Sequence, residues 1–445
     1  MSAAKPVEPA AGNLRALIGG ASFVFLCRVG GAGMTFAIQV LLARWIGAAE
    51  LGIYVVAFSW CLLLSTLAGG GFAMAAIRFV GVGLATGRHG YVKGFIRRGN
   101  QVVLATGLLV ATLAVLASRA GAGVYPLAAQ PAFFYAMLAV PLYGLMQFQN
   151  GVANALSRLA LSFTPNNIWR PLLFLLALFL LRLLDGSLDA EQAMRLHFFS
   201  IAIVTIGTVL FLRRVLLRAL DTGPREYDMR VWLRVAPPLL AMEFFGNYFP
   251  EVTVIALGSY LPTPGIGVYN AAFRAAMLIT FGLNAIDASV APRLSTLHAA
   301  GDLEALQDAV DRATWLRFRA GLLAVVLLGL FGEYVLALFG PEFIIGYRAL
   351  LILALAQLVT AGTGPTMRLL TISGHQNQCL GVFVAALLIT LALIPLLVPR
   401  FGIEGAAVAA GTASSFWSLT LRFMVTRYLG IRPSFLGIAR GKRRA

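Results

Sequence analysis

RWIGAAELGIYVVAF, Arg44 to Phe58, and YLPTPGIGVYNAAF, Tyr260 to Phe273, are one motif written twice. An offset of 215 residues (260 − 45 = 215) aligns Trp45 with Tyr260 and continues without a gap. Gly52 then meets Gly267, Tyr54 meets Tyr269, Ala57 meets Ala272 and Phe58 meets Phe273. The same offset pairs Arg78 with Arg293 and Arg97 with Arg312, so the basic loop behind the motif repeats as well. A weaker echo, NALSR at Asn154–Arg158 against TISGH at Thr371–His375, comes at an offset of 217. A chain that repeats a motif nearly half its length apart is built from two related halves.

The composition sets the solvent of those halves. The 445 residues are 59% hydrophobic and 12% charged, with a mean hydropathy of +0.84. Soluble domains carry about 25% charged residues. Water cannot solvate so apolar a surface, whereas lipid tails can. The apolar runs approach 20 residues, the length of a spanning helix, and lack the alternating ten-residue segments of a membrane barrel. The net charge of +17 comes from basic residues flanking apolar runs, which is a topology signal; a nucleic-acid partner is not indicated. Cys27, Cys61 and Cys379 fall inside apolar segments with no paired spacing, and the four histidines are scattered. Neither a disulfide framework, a metal site nor a cofactor is expected. No G-x-x-x-x-G-K-[ST] loop is present, so no ATP motor is expected. The first apolar run, from about Leu17 to Val40, is too long for a cleaved signal.

Hydropathy predicts twelve spans: 17–40, 50–72, 99–118, 131–150, 165–184, 193–212, 235–258, 266–290, 319–339, 347–370, 378–398 and 403–424. Lys and Arg favour cytoplasmic loops. The loop after the second span holds Arg78, Arg88, Lys93, Arg97 and Arg98; the loop after the sixth holds Arg213, Arg214, Arg218, Arg225, Arg230 and Arg234. Arg293, Arg312, Arg317 and Arg319 follow the eighth span, and six more basic residues follow the twelfth. The odd-numbered loops are poor in charge. Both termini are therefore expected in the cytoplasm. The domain reading is a cytoplasmic segment at 1–16, a six-helix bundle at 17–218, a linker at 219–234, a second six-helix bundle at 235–427 and a basic tail at 428–445. Asp302 to Arg319 is expected to form a short interfacial helix leading into the ninth span.

Six is even, so both halves enter the membrane in the same direction. This is the parallel repeat, related by an axis along the membrane normal, in which substrate passes between halves that rock against each other.

Longer stretches add a resemblance. LLARWIGAAELGIYVVAFSW, GFAMAAIRFVG, GVYNAAFRAAML, PEFIIGYRALLILALAQLV, TISGHQNQ and FGIEGAAVAA, in that order, are similar to the oligosaccharide flippase family. Ala48 and Ala49 stand where that family often has Pro and Glu, in a loop. The family lies in the multidrug/oligosaccharidyl-lipid/polysaccharide exporter superfamily. The resemblance implies an all-α, V-shaped pair of six-helix bundles around a central cavity. It implies an inner-membrane flippase, not an enzyme, that moves undecaprenyl-diphosphate-linked oligosaccharide from the cytoplasmic to the periplasmic leaflet. O-antigen, capsule and exopolysaccharide remain open as the product. Membrane lipids, a polysaccharide polymerase and chain-length factors are the partners it suggests. A drug exporter and a lipid II flippase of the same superfamily are the alternatives. A glycosyltransferase or polymerase lacks a long periplasmic loop or a D-x-D pair here.

Charges within spans cost about 2.5–3.5 kcal/mol each on insertion scales, so they normally face an interior or a wet cavity. Arg28 lies in the first span, and the offset carries it to Glu243 in the seventh (28 + 215 = 243). Gln39 shares a face with Arg28, while Glu243, Asn247 and Glu251 form an i, i+4, i+8 stripe. If the first and seventh spans face each other, a basic stripe opposes an acidic one. Arg274 with Asn270 one turn earlier, Arg170 and Arg368 complete the expected cationic lining of the central cavity. Thr164-Pro165 ahead of Arg170 reads as a helix start with free N–H groups, an anion seat. Planar guanidinium forks suit a diphosphate. Glu243, Glu251 and Asp287 are the expected coupling or gating carboxylates. Each cation also has a plain structural reading, a fixed ion pair for Arg28 and snorkelling for Arg170 and Arg368.

Overall fold

The computed structural model describes residues 11–119, 130–184, 187–219 and 224–435. The ends of the expected N-terminal segment and basic tail lie outside the described residues. Nine described helical runs are long and apolar enough to cross a membrane. Two of them are double. The helix α1 (Ala11–Gly69) is broken at Gly47, where φ is 76°. The helix α14 (Gln376–Leu429) is broken at Gly402, where φ is 54°. Both torsions favour glycine, which has no Cβ to clash. Splitting these two gives eleven crossings. The pair α8 (Met229–Asn247) and α9 (Phe249–Leu257) supplies the twelfth.

The other crossings follow the hydropathy reading. They are α3 (His89–Arg119), α4 (Gln130–Ala155), α7 (Ala190–Ala219), α10 (Thr263–Ala300) and α11 (Leu303–Ala337). α2 (Phe72–Ala85) prolongs the second crossing, and α13 (Thr366–Ile372) prolongs α12 (Tyr347–Gly362). The fifth crossing is α5 (Leu159–Thr164), a π-turn at Pro165–Trp169 and α6 (Arg170–Leu184). No strand occurs among the described residues. The chain is a multi-pass membrane protein.

Three local expectations are corrected. Asp302 to Arg319 does not form a separate interfacial helix. It is the first half of α11, a continuous helix of 35 residues, capped by the Asp302 carboxylate accepting from the Ala305 N–H at 2.9 Å. Of its apolar positions, Leu306 and Val310 are buried in a core while Leu303 is exposed. Pro165 does not open a helix either. Helix already runs from Leu159, and the π-turn absorbs the proline's missing N–H, so no free N–H groups are exposed there. Finally, helix begins at Met229, inside the stretch read as linker.

The repeat motif forms the seam between the halves. A Cβ on Gly52 would overlap the carbonyl oxygen of Thr263, and a Cβ on Gly267 would overlap the carbonyl oxygen of Ala48. The offset of 215 relates Gly52 to Gly267 and Ala48 to Thr263, so the two contacts are the same contact exchanged across a pseudo-two-fold axis. Small residues let membrane helices approach to backbone distance. The aromatic residues obey the same symmetry. Tyr54 stacks on Phe58 with ring centroids 6.1 Å apart, and Tyr269 on Phe273 with centroids 6.2 Å apart.

The apolar cores show which side is closed. One core runs through both halves and includes Leu42, Leu51, Tyr54, Ile266, Tyr269, Leu336 and Phe343. It lies at the end of the bundles bearing the charge-poor loops. At the other end, behind the basic loops, the halves have separate cores. One is built on Phe72, Phe95, Phe148 and Trp232, the other on Leu294, Val310, Leu370 and Val425. With basic loops cytoplasmic, the molecule is closed toward the periplasm and divided toward the cytoplasm. The closed side is latched further by Arg44, which donates from Nε to the Leu338 carbonyl at 2.7 Å, and by the edge contact of Phe36 with Phe339.

On the cytoplasmic face each half ties its own loops. Arg88 pairs with Glu226, whose hydrogen bond holds the guanidinium further into its charged form. Within the C-terminal half, Gln307 donates to the Arg432 carbonyl at 3.0 Å.

Candidate functional site at the apex of the cleft

The seventh crossing explains where the charges go. Pro250 removes an N–H and crowds the preceding turn, and the helix breaks at Tyr248 (φ −111°, ψ 13°). The half before the break packs on the N-terminal bundle, with Trp232 and Ala236 in its cytoplasmic core. Trp232 donates from Nε1 to the Tyr91 hydroxyl at 2.7 Å. The half after the break reaches the C-terminal bundle, where Phe249 meets Trp417 edge-on at 5.6 Å. The seventh crossing therefore links the two bundles across the cleft.

Arg28 and Glu243 do not pair. Arg28 is exposed, with its guanidinium 5.5 Å from the Phe163 ring centroid. Glu243 is half-buried beside Thr66, Gly69 and Gln147 of the N-terminal bundle. The offset that relates the second and eighth crossings does not transfer to the first and seventh, because the seventh is two helices that change direction at Tyr248. The side chain of Asn247 lies outside the described residues.

Other predicted residues do converge near the level of the Tyr54 and Tyr269 rings. Arg170 is half-buried and donates from Nε to Asn166 Oδ1 at 3.1 Å. Its Nη1 lies 2.7 Å from His197 Nε2, and the guanidinium sits 5.9 Å from the Tyr143 ring centroid. A guanidinium only donates. His197 Nε2 is therefore the acceptor, its ring proton sits on Nδ1, and Nδ1 donates to the Tyr54 hydroxyl at 2.7 Å. The imidazole is clamped between Phe174 and Phe58, with centroids 4.4 Å away on each side. A buried histidine thus fixes the orientation of Arg170.

Arg274 approaches the same place from α10. It is half-buried, and its Nε has no hydrogen-bond partner among the described residues. Its charge acts on both Tyr54 and Glu251. The Oε2 atom of Glu251, in the first turn of α9, is also buried without a hydrogen-bond partner. Arg170 from one bundle and Arg274 from the other therefore both lie near Tyr54, below the division between the bundles, with Glu251 near Arg274.

The remaining predicted residues are placed differently. Gln39 and Asn270 are both buried, and Asn270 donates from Nδ2 to Gln39 Oε1 at 3.1 Å. They satisfy each other across the seam and face no open space. Arg368 is exposed in the short helix α13. Asp287 is not a lone carboxylate; it forms an ion pair with Arg317, which is only 4% exposed. That pair lines a cavity of about 490 Å³ inside the C-terminal bundle.

Two important residues were not singled out from the sequence. His197 is one of four scattered histidines, and its place within an apolar span is the signal that marks it. Arg317 sits among the basic residues that follow the eighth span, and only the continuity of α11 carries it into the bundle.

Two bundles, closed on one side around a seam of small residues and carrying paired cations at the apex, form a membrane transporter. The chain belongs to the family described as polysaccharide biosynthesis protein, which it matches over residues 17–298. No curated protein sequence matches it significantly. Solved structures with the same fold include an inward-facing multidrug resistance MATE family transporter of the MOP superfamily, with TM-score 0.66, 14% identity and coverage of 93% of this chain and 94% of that chain. Lipid II flippase MurJ in an inward closed conformation gives TM-score 0.70 at 15% identity over 91% of this chain and 87% of its own. A MOP superfamily transporter from Pyrococcus furiosus, described as having a binding pocket of reverse polarity, gives 0.61 at 16% identity over 92% and 95%. These likenesses define an all-α transporter fold of twelve crossings.

Proposed function

We propose that the protein flips undecaprenyl-diphosphate-linked oligosaccharide from the cytoplasmic to the periplasmic leaflet of a bacterial inner membrane, for assembly of a surface polysaccharide. The observation that carries this reading is the apex of the cleft. Arg170 and Arg274 come from opposite bundles, and Arg274 Nε is buried without a hydrogen-bond partner among the described residues. A diphosphate is made and collected on the cytoplasmic side. Two guanidinium forks offer paired N–H donors to its oxygens. Binding would draw the two bundles toward one anion, which supplies the differential contact that alternating access needs. Arg28 and Arg368, both exposed, are proposed to attract the anionic lipid toward the cleft. Glu251, beside Arg274, is proposed to occupy the cation between transport cycles and to be displaced by phosphate; Glu243 and Asp287 are the further candidates for coupling.

The polysaccharide biosynthesis family supports a lipid-linked glycan as cargo. The paired cations argue against a cationic drug, which they would repel. The test is the sidedness of lipid-linked oligosaccharide in a strain lacking the gene and any redundant flippase. The reading expects loss of surface polymer and accumulation of the lipid-linked unit in the cytoplasmic leaflet, both reversed by the wild-type gene. Normal sidedness and normal polymer would overturn it.

A further inference from the structure

Resting on that reading, we propose that the cavity inside the C-terminal bundle is a glycan subsite: it takes a sugar residue of the lipid-linked substrate while the arginines at the apex hold its diphosphate. The cavity measures about 490 Å³, within the range of small-ligand pockets. Its walls come from α9, α10, α11, α12, α13 and α14 of the C-terminal half, and the N-terminal bundle contributes none of them. Neither Arg170 nor Arg274 lines it, although Tyr269 and Phe273, near those arginines, do.

Three properties identify the ligand chemistry. The first is charge. Asp287 and Arg317 are the charged residues among those lining the cavity, and they form an ion pair. The site is close to neutral, so a diphosphate gains nothing there that it does not gain better at Arg170 and Arg274. The second is an excess of buried polar capacity. Oδ1 of Asp287, Nε of Arg317 and Oγ1 of Thr280 are all buried without a hydrogen-bond partner among the described residues. Unmet donors and acceptors on one cavity are costly unless a ligand or water meets them. Asn284, one turn on from Thr280 and exposed, and Gln357 from α12 add amides that both donate and accept. A polyol, with hydroxyls that do the same, matches this set.

The third is the apolar end. Trp417 lies against the cavity, braced edge-on by Phe249 at 5.6 Å and by Phe383 at 5.1 Å. A braced indole offers a rigid apolar face of the kind ligand pockets use beside a few placed polar groups. The C–H face of a pyranose is the matching surface. A flat neutral ring with hydroxyls on its rim, a hexose or an N-acetylhexosamine, thus fits both ends of the cavity. A lipid tail would leave the polar end unmet, and a peptide cation has no free carboxylate to meet.

The experiment measures binding of two lipids to detergent-purified full-length protein. One is undecaprenyl diphosphate; the other is undecaprenyl diphosphate carrying N-acetylglucosamine followed by a second hexose. Asn284→Leu and Gln357→Leu remove hydrogen-bonding amides while keeping bulk, and Trp417→Ala removes the platform. Each amide variant is expected to weaken the sugar-bearing lipid about tenfold, the size of one lost buried hydrogen bond. None of the variants should change affinity for the sugar-free lipid. That unchanged affinity also shows that the variant is folded. Equal weakening of both lipids, or weakening of neither, overturns the subsite and leaves the flippase reading in place. Wild-type protein that binds neither lipid overturns both.

Discussion

The contact of Gly52 with Thr263, and its twin between Gly267 and Ala48, predicts a specific conformational defect. Substituting Gly52→Ala or Gly267→Ala places a methyl on a neighbouring helix backbone. Backbone cannot swing aside as a side chain can, so relief requires α1 and α10 to separate. Overpacking of a tight contact costs about 1–3 kcal/mol. The contact belongs to the periplasmic closure, so the cost falls on the cytoplasm-open state and is released when the seam opens. A bias of about 1–3 kcal/mol shifts a two-state population by about 5–150-fold. Spin labels on cysteines at Ala49 and Glu342, both exposed at the closed end, would report the change as an interlabel distance. The native cysteines Cys27, Cys61 and Cys379 are buried and would be replaced by alanine. Wild-type protein should give a single short distance, while either glycine variant should show a substantial long-distance population. Gly282→Ala, on α10 with nothing within 4 Å of the added Cβ, is the control and should resemble wild type. A short distance retained in both glycine variants, with wild-type transport, would refute the seam as the periplasmic closure.

Other outcomes follow from the same geometry. Arg274→Ala and Arg170→Ala should each reduce flipping in proteoliposomes at least tenfold, since a charge-assisted bond to phosphate is worth about 1.5–3 kcal/mol; Arg170→Lys should recover only part, because an ammonium lacks the planar fork. His197→Phe keeps a ring between Phe58 and Phe174 but removes the acceptor for Arg170; affinity for undecaprenyl diphosphate should fall while the thermal midpoint of the purified protein falls only slightly. Gln39→Leu alone strands the buried Asn270 amide at a cost of about 1–3 kcal/mol. Adding Asn270→Leu should restore most of that stability in a melting assay.

The fold was legible because its main signals are local or repetitive. Span length, loop charge and the 215-residue offset each depend on residues close in sequence or on exact repetition, and Gly52 with Gly267 proved to be the seam itself. The misreadings lie where backbone geometry intervenes. Tyr248 and Pro250 break the seventh crossing, so Glu243 leaves the position that the offset assigned to it. A π-turn absorbs Pro165, and the amphipathic start of α11 belongs to the same helix as the crossing that follows. Arg170 and Arg274 could be picked out as charges in apolar spans. Their shared neighbourhood with His197, Tyr54 and Glu251 depends on five crossings meeting at one level, which hydropathy does not encode. Gln39 and Asn270 show the converse: polar residues within spans can serve only each other.

The decisive property is movement of a lipid-linked glycan across a bilayer by this chain alone. The most direct measurement reconstitutes the purified protein in liposomes carrying undecaprenyl-diphosphate-linked oligosaccharide on both leaflets, then follows accessibility of the glycan to an impermeant glycan-cleaving enzyme. Wild-type protein is expected to expose the inner-leaflet pool, leaving almost none protected, while the Arg170→Ala/Arg274→Ala protein leaves about half protected, as empty liposomes do. Protection of half the glycan with the wild-type protein, folded and correctly inserted, would contradict it.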